Sequence, residues 1–175
     1  DVDSNFEHIV MGGKFGGRIA PMEDGIEVGT DPERRVRMRK EQEDIDVQAM
    51  SILGSLWNYH LSPAEGEAYS REVNEELADL QKAYPQHFVG LALIPLQDTA
   101  AALRVLEHAI KDLGLRHIAI TSNVNGLNLD HQSLWPIYEV AASEKMFVFC
   151  HPPLAGVAGG DRMTHYALNN TIGLP

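Results

Sequence analysis

Short apolar segments alternate with amphipathic helical segments along most of this chain, and this alternation limits its possible folds more than any other feature. Four apolar runs are each long enough for one buried strand: Val47–Leu53, Phe88–Leu93, Ile118–Thr121 and Met146–Cys150. Strands that are apolar on both faces are typical of parallel sheets covered by helices. Successive parallel strands need a long return connection, so the pattern predicts right-handed β-α-β units.

The helical segments carry boundary signals that support this reading. Ser62-Pro63-Ala64-Glu65 is a capping box with proline at the first helical position, and Pro85 is predicted to end that helix. Asp98 is predicted to cap the next helix, which Gly114 follows. Three more helices are predicted, at Arg34–Glu43, Leu134–Lys145 and Arg162–Asn169. Strands and helices therefore alternate through the chain.

Two α/β architectures fit this order. Units of about 30 to 40 residues occur both in doubly wound sheets and in (β/α)8 barrels. Residues 1–30 contain six glycines and little hydrophobic periodicity, so we expect an irregular arm there. Topology alone does not choose between the two architectures. Four units are half of a (β/α)8 barrel, and a half barrel would leave two sheet edges unpaired.

The charge balance limits the classes of partner that this chain can bind. Fourteen Lys and Arg residues stand against 25 Asp and Glu, a net charge of −11, which argues against binding to nucleic acid or to anionic membranes. No apolar run approaches the roughly 20 residues that span a bilayer. A single cysteine, Cys150, and the lack of a secretory leader pattern predict a reducing, cytoplasmic location. Cys150 itself is expected to pack inertly within its apolar run.

Functional groups of parallel α/β folds gather where the strands end, and His151 follows the last predicted strand. Two prolines come directly after it, so its direction is fixed as the chain leaves the sheet. An imidazole in this position can bind a divalent metal or act as a base. The alternative is a histidine that is simply bonded to a backbone carbonyl.

Two other strand ends carry candidate substrate-binding residues. An aromatic loop with Tyr59 at its centre follows the first strand, and a polar turn follows the third. The aromatic loop could line a pocket for a planar substrate or cover the rim of the sheet, and the turn residues are also those of any tight turn. The predicted substrate-binding residues are Trp57, His60, Ser122, Asn123 and Asn125.

Four stretches in order and spacing resemble the amidohydrolase-related metalloenzymes around aminocarboxymuconate-semialdehyde decarboxylase. They are Asp44–Gln48 (DIDVQ), His87–Gln97 (HFVGLALIPLQ), Asn123–Gly126 (NVNG) and Phe147–Pro152 (FVFCHP). The resemblance implies that residues 31–175 form an incomplete (β/α)8 barrel with a catalytic divalent metal, usually zinc. It also implies a homodimer, with His151 as a metal ligand and a small carboxylic acid as the substrate.

The activity implied by the resemblance is removal of carbon dioxide from an aromatic or unsaturated acid without oxidation. Hydrolysis of an amide or lactone by the same metal is the alternative within the family. The family's His-x-His ligand pair does not occur in this chain, and we expect it on a strand upstream of Asp1. A third possibility is a truncated, non-catalytic barrel that pairs with a partner chain.

Overall fold

The computed structural model describes residues 32–38, 46–52 and 56–152. In chain order the elements are α1 (Pro32–Met38), β1 (Gln48–Met50), α2 (Pro63–Ala83), β2 (Phe88–Leu93), α3 (Thr99–Lys111), β3 (His117–Thr121), β4 (Asn123–Val124), β5 (Leu127–Asn128), a 3-10 turn (Gln132–Leu134), α4 (Trp135–Ser143) and β6 (Phe147–His151). The predicted arm over residues 1–30 and the predicted helix Arg162–Asn169 lie outside the described residues.

The main sheet is parallel throughout, as predicted. Its strand order is β1-β2-β3-β6, and every neighbouring pair is parallel. Strand β2 has the predicted bounds, whereas β1 is only three residues long. Val47, just before β1, is 51% exposed, so the prediction of burial on both faces was wrong there. The physical reason is that β1 lies at one edge of the described sheet, with a neighbouring strand on one side only.

The strand register divides the sheet into two faces. A Cβ added to Gly90 would lie 2.7 Å from the Leu115 side chain and 3.4 Å from Leu77 of α2, so Gly90 faces the helices. Side chains alternate along a strand, and paired residues share a face. The opposite face, here called the inner face, therefore carries the set Leu91, Leu93, Ala119, Thr121, Phe147, Phe149 and His151.

The helix caps form as the sequence predicts. The Ser62 Oγ accepts a hydrogen bond from the Glu65 backbone N–H, and the Glu65 carboxylate accepts one from the Ser62 backbone N–H at 3.2 Å. The Ser62 hydroxyl also donates to the Glu65 carboxylate at 2.6 Å, and this bond, followed by the one from the Ser62 backbone N–H, lowers the pKa of Glu65. Asp98 caps α3 by accepting from the Ala101 N–H at 2.8 Å. After α3 the chain turns at Gly114, whose φ of +71° suits glycine.

A β-hairpin stands where the sequence indicates only a polar turn. Strands β4 and β5 pair antiparallel around Asn125 and Gly126, whose φ angles are +51° and +91°. Two consecutive positive φ angles in an Asn-Gly pair are the signature of the two-residue turn that matches strand twist. The Asn123 side chain reinforces the turn by accepting from the Gly126 N–H at 2.8 Å.

Cys150 is exposed, so the prediction that it packs within an apolar run was wrong. The apolar pattern of its strand is typical of a central position, but β6 lies at the edge of the described sheet. Partial desolvation raises the pKa of the thiol, so it stays protonated at neutral pH. A nucleophilic role gains no support from this environment.

None of the helices in the described part of the chain combines the length and the apolar content needed to cross a bilayer.

Glu76 should make stability fall as the pH rises through neutrality. It is only 9% exposed on α2, and burial followed by repulsion from Glu72, Asp79 and Glu75 raises its pKa to about 7. The fold therefore favours the protonated carboxyl. Its contribution is fully present below the unfolded pKa of about 4.3 and is lost as the pH rises through 7.

Glu76→Gln should remove this dependence. Between pH 5 and pH 8 the variant should gain on the order of 1 kcal/mol in unfolding free energy relative to the parent, measured by urea unfolding. Glu75→Gln is the matched control, since Glu75 is exposed on the same helix and should gain much less. An equal gain in both variants would show that net charge, rather than burial of Glu76, sets the slope.

Candidate functional site

The carboxyl ends of the four parallel strands lie at one edge of the sheet, here called the carboxyl edge. Strands β3 and β6 end side by side there, with Thr121 in register with His151. Both residues lie on the inner face. In parallel α/β folds this edge is where the loops and side chains of a site converge.

One ring nitrogen of His151 is hydrogen-bonded, and the other has no partner among the described residues. Its Nδ1 lies 2.8 Å from the carbonyl oxygen of Pro152, and a carbonyl can only accept, so Nδ1 carries the proton. The Nε2 lone pair is then available to a metal, which is how backbone carbonyls commonly orient metal-binding histidines. The side chain is half-buried, beside the Phe149 ring at a centroid distance of 6.3 Å.

A complete metal site needs more donors than the described residues bring together. Catalytic zinc sites commonly use three protein ligands and one open position. Within residues 32–38, 46–52 and 56–152, no three His, Cys, Asp or Glu side chains form such a group. His151 therefore fits as one ligand of a metal site whose other ligands lie outside the described residues.

Two buried aromatic rings lie in the loop that follows β1. Trp57 and Tyr59 are 5% and 7% exposed and stack with centroids 6.0 Å apart. The Tyr59 hydroxyl is buried and has no hydrogen-bond partner among the described residues, and its burial raises the pKa of Tyr59 far above its usual value. The hydroxyl is therefore protonated at all ordinary pH values. The Trp57 Nε1–H is buried and has no hydrogen-bond partner among the described residues.

The hairpin is joined to this aromatic loop. The Asn125 side-chain amide donates to the Tyr59 carbonyl at 2.7 Å, which brings Asn125 close to the Trp57–Tyr59 pair. The Asn123 side-chain oxygen accepts its hydrogen bond within its own turn, as expected of a residue in any tight turn. His60 and Ser122 are exposed. For all of these residues, substrate binding stays a prediction.

Thr121 is the residue at this edge that the sequence analysis did not single out. It is fully buried at the end of β3, and its Oγ1 has no hydrogen-bond partner in the part of the chain that the structure describes. The available signal was alternation: counting by twos from His117 places Thr121 on the face of His117 and Ala119. A hydroxyl at the last position of an apolar strand marks that face as polar at its end.

Known proteins match most of this chain. Residues 33–170 match the amidohydrolase family. The 2-amino-3-carboxymuconate-6-semialdehyde decarboxylase of Dictyostelium discoideum is 34% identical over 145 residues, which cover 83% of this chain and 40% of that protein. The chain therefore spans less than half the length of this curated relative.

Two solved structures show the same fold. The 5-carboxyvanillate decarboxylase of Novosphingobium aromaticivorans, with bound manganese, aligns with a TM-score of 0.76 at 23% identity, over 86% of this chain and 44% of that one. The dihydroxybenzoic acid decarboxylase of Polaromonas sp., also with manganese, aligns with a TM-score of 0.73 at 22% identity, over 93% of this chain and 51% of that one. The parallel sheet with its helices is thus part of a (β/α)8 barrel, and the chain belongs to the amidohydrolase family.

Proposed function

We propose that the whole protein containing this chain is a metal-dependent decarboxylase of a small aromatic or unsaturated carboxylic acid. The observation that carries the proposal is His151 at the carboxyl edge, with Nδ1 bonded to a backbone carbonyl and Nε2 without a partner in the part of the chain that the structure describes. The decarboxylase relatives support the same chemistry. In this proposal residues 1–30 are an arm and residues 31–175 belong to the barrel domain.

His151 would be one ligand of the metal. When bound, the metal would supply positive charge that orients the substrate carboxylate and stabilises the negative charge left as carbon dioxide departs. The Trp57–Tyr59 pair would form an apolar wall suited to a planar acid. Asn125 would hold that wall in place through its bond to Tyr59. His60, Ser122 and Asn123 would contact the polar substituents of the acid.

We propose zinc as the metal, and manganese is the rival because both solved relatives contain it. An imidazole ligand suits zinc well, whereas carboxylate and water ligands suit manganese. The choice therefore depends on the donors that complete the set. We further propose that the protein is a cytoplasmic homodimer, which sedimentation equilibrium and cell fractionation would test.

The central test is carbon dioxide release by the whole protein, stripped of metal and reloaded with Zn²⁺ or Mn²⁺. The panel contains 2-amino-3-carboxymuconate-6-semialdehyde, 5-carboxyvanillate and 2,6-dihydroxybenzoate, together with an aryl amide and a lactone. We expect metal-dependent release from at least one acid and no cleavage of the amide or lactone. Cleavage without carbon dioxide would assign the hydrolase alternative instead.

Exposed aromatic side chains favour a second candidate for the 175-residue chain taken by itself. Phe147 and Phe149 are 56% and 38% exposed on the inner face, and their rings stack with centroids 6.5 Å apart. In a complete barrel the remaining strands would enclose this face, and if the chain stands by itself a partner chain would have to cover it. If the isolated chain pairs with a partner chain, its mass in solution should exceed 19.3 kDa, and it should contain no metal.

A further inference from the structure

We propose that Thr121 binds the substrate, with its hydroxyl donating a hydrogen bond to the carboxylate of the acid. This inference rests on the proposed function and deepens it, since it assigns a carboxylate-recognising residue to the same site. Three observations carry it: the register of Thr121, the burial of its hydroxyl, and the donor character of the groups around it.

The register places Thr121 beside the predicted metal ligand. Thr121 and His151 are paired on adjacent parallel strands, and adjacent strands lie about 4.8 Å apart. Because paired residues share a face, both side chains project from the inner face at its carboxyl end. A carboxylate held next to His151 is therefore within reach of the Thr121 hydroxyl.

The burial of the hydroxyl calls for a partner. Thr121 is 0% exposed, and Oγ1 makes no hydrogen bond to the described residues. A buried hydroxyl without a partner destabilises a protein, and valine has the same shape and equal strand preference without that cost. Folding alone therefore does not explain why residue 121 is a threonine, whereas a bound hydrogen-bond acceptor does.

The polar groups near Thr121 suit a ligand that accepts hydrogen bonds rather than one that donates them. The Tyr59 hydroxyl and the N–H of the Trp57 indole stacked on it are both buried without a hydrogen-bond partner among the described residues. Indole nitrogen can only donate, and an ionised carboxylate can only accept. The loop that follows β1 therefore brings buried donors without described partners to the carboxyl edge, and an organic acid would complement them.

The test compares Thr121→Val with Thr121→Ser in the whole, Zn²⁺-loaded protein by equilibrium dialysis. The probes are 2,6-dihydroxybenzoate and resorcinol, which has the same ring and hydroxyls without the carboxylate. Thr121→Val should weaken binding of the acid about tenfold, because a hydrogen bond to a charged group is lost, and leave resorcinol unchanged. Thr121→Ser should restore binding of the acid to within about threefold of the parent.

A stability measurement separates binding from a structural role. Without ligand, Thr121→Val should melt at the parent temperature or above it. The matched control is Thr99→Val, since the Thr99 hydroxyl is already bonded to the Ser133 carbonyl at 2.8 Å. That variant should melt lower and bind the acid like the parent.

Several outcomes would overturn the assignment of Thr121. They are unchanged acid binding by Thr121→Val, equal losses for acid and resorcinol, a lower melting temperature of the ligand-free valine variant, and failure of the parent to bind the acid. Failure of the proposed function gives a different result: the parent binds the acid, the Thr121 variants rank as expected, and no carbon dioxide is released.

Discussion

Replacing His151 with alanine should remove most of the bound metal and almost all of the activity of the whole protein. Loss of a direct ligand should weaken metal binding by at least about 100-fold, since changing even an outer partner of a ligand costs 10-fold to 100-fold. Carbon dioxide release should fall on the order of 1,000-fold at a fixed metal concentration. Metal analysis after dialysis and steady-state kinetics would measure the two effects.

His117→Ala is the matched control for this experiment. His117 begins β3 on the same inner face, at the opposite end of the sheet from His151, and its Nδ1 accepts from the Phe147 N–H at 3.3 Å. We expect a small loss of stability and unchanged metal content. His151→Ala should keep its circular dichroism spectrum, because the replaced ring is only half-buried. Metal content and turnover at parental levels in His151→Ala would remove the basis of the proposed function.

The architecture was readable from the sequence because its signals are local. Continuous apolar runs separated by capped helices indicate parallel strands, and β2 and the caps at Ser62 and Asp98 agree with the structure in detail. The edge strands were harder to predict. Whether a strand is central or peripheral depends on which strands pair with it, and this is why Val47 and Cys150 were assigned too much burial.

The candidate site was readable only in part, because a site depends on register and on contacts between distant segments. The position of His151 directly after an apolar run was enough to predict it as a site residue. Thr121 becomes a candidate only through its pairing with His151, which the sequence does not show. The bond from Asn125 to Tyr59 joins residues 66 positions apart, so no local pattern predicts it. The Asn-Gly pair did carry a local signal for the hairpin turn, which the polar-turn interpretation left unused.

One buried amide, absent from the sequence analysis, connects the fold to the carboxyl edge. Asn74 of α2 is fully buried; it donates from Nδ2 to the Leu93 carbonyl at 3.0 Å and accepts from the Leu93 N–H at 2.7 Å. Strand β1 pairs with β2 only over Phe88–Gly90, so no β1 residue reaches Leu93. The Asn74 side chain takes the place of that missing partner.

Asn74→Leu should therefore be among the most destabilising single changes in α2. It leaves the N–H and C=O of Leu93 buried without partners, at about 1 to 3 kcal/mol each, so the unfolding free energy should fall by roughly 2 to 6 kcal/mol. Gln81→Leu is the comparison, since Gln81 accepts from the Gly90 N–H at 2.9 Å from a half-buried position. Water can replace that bond, so the loss should stay near 1 kcal/mol. Urea unfolding of both variants tests the difference, and equal small losses would show that the Leu93 backbone finds other partners.

Because Leu93 leads directly into the loop at the carboxyl edge, Asn74→Leu should also weaken binding of a carboxylic acid under conditions where the variant remains folded.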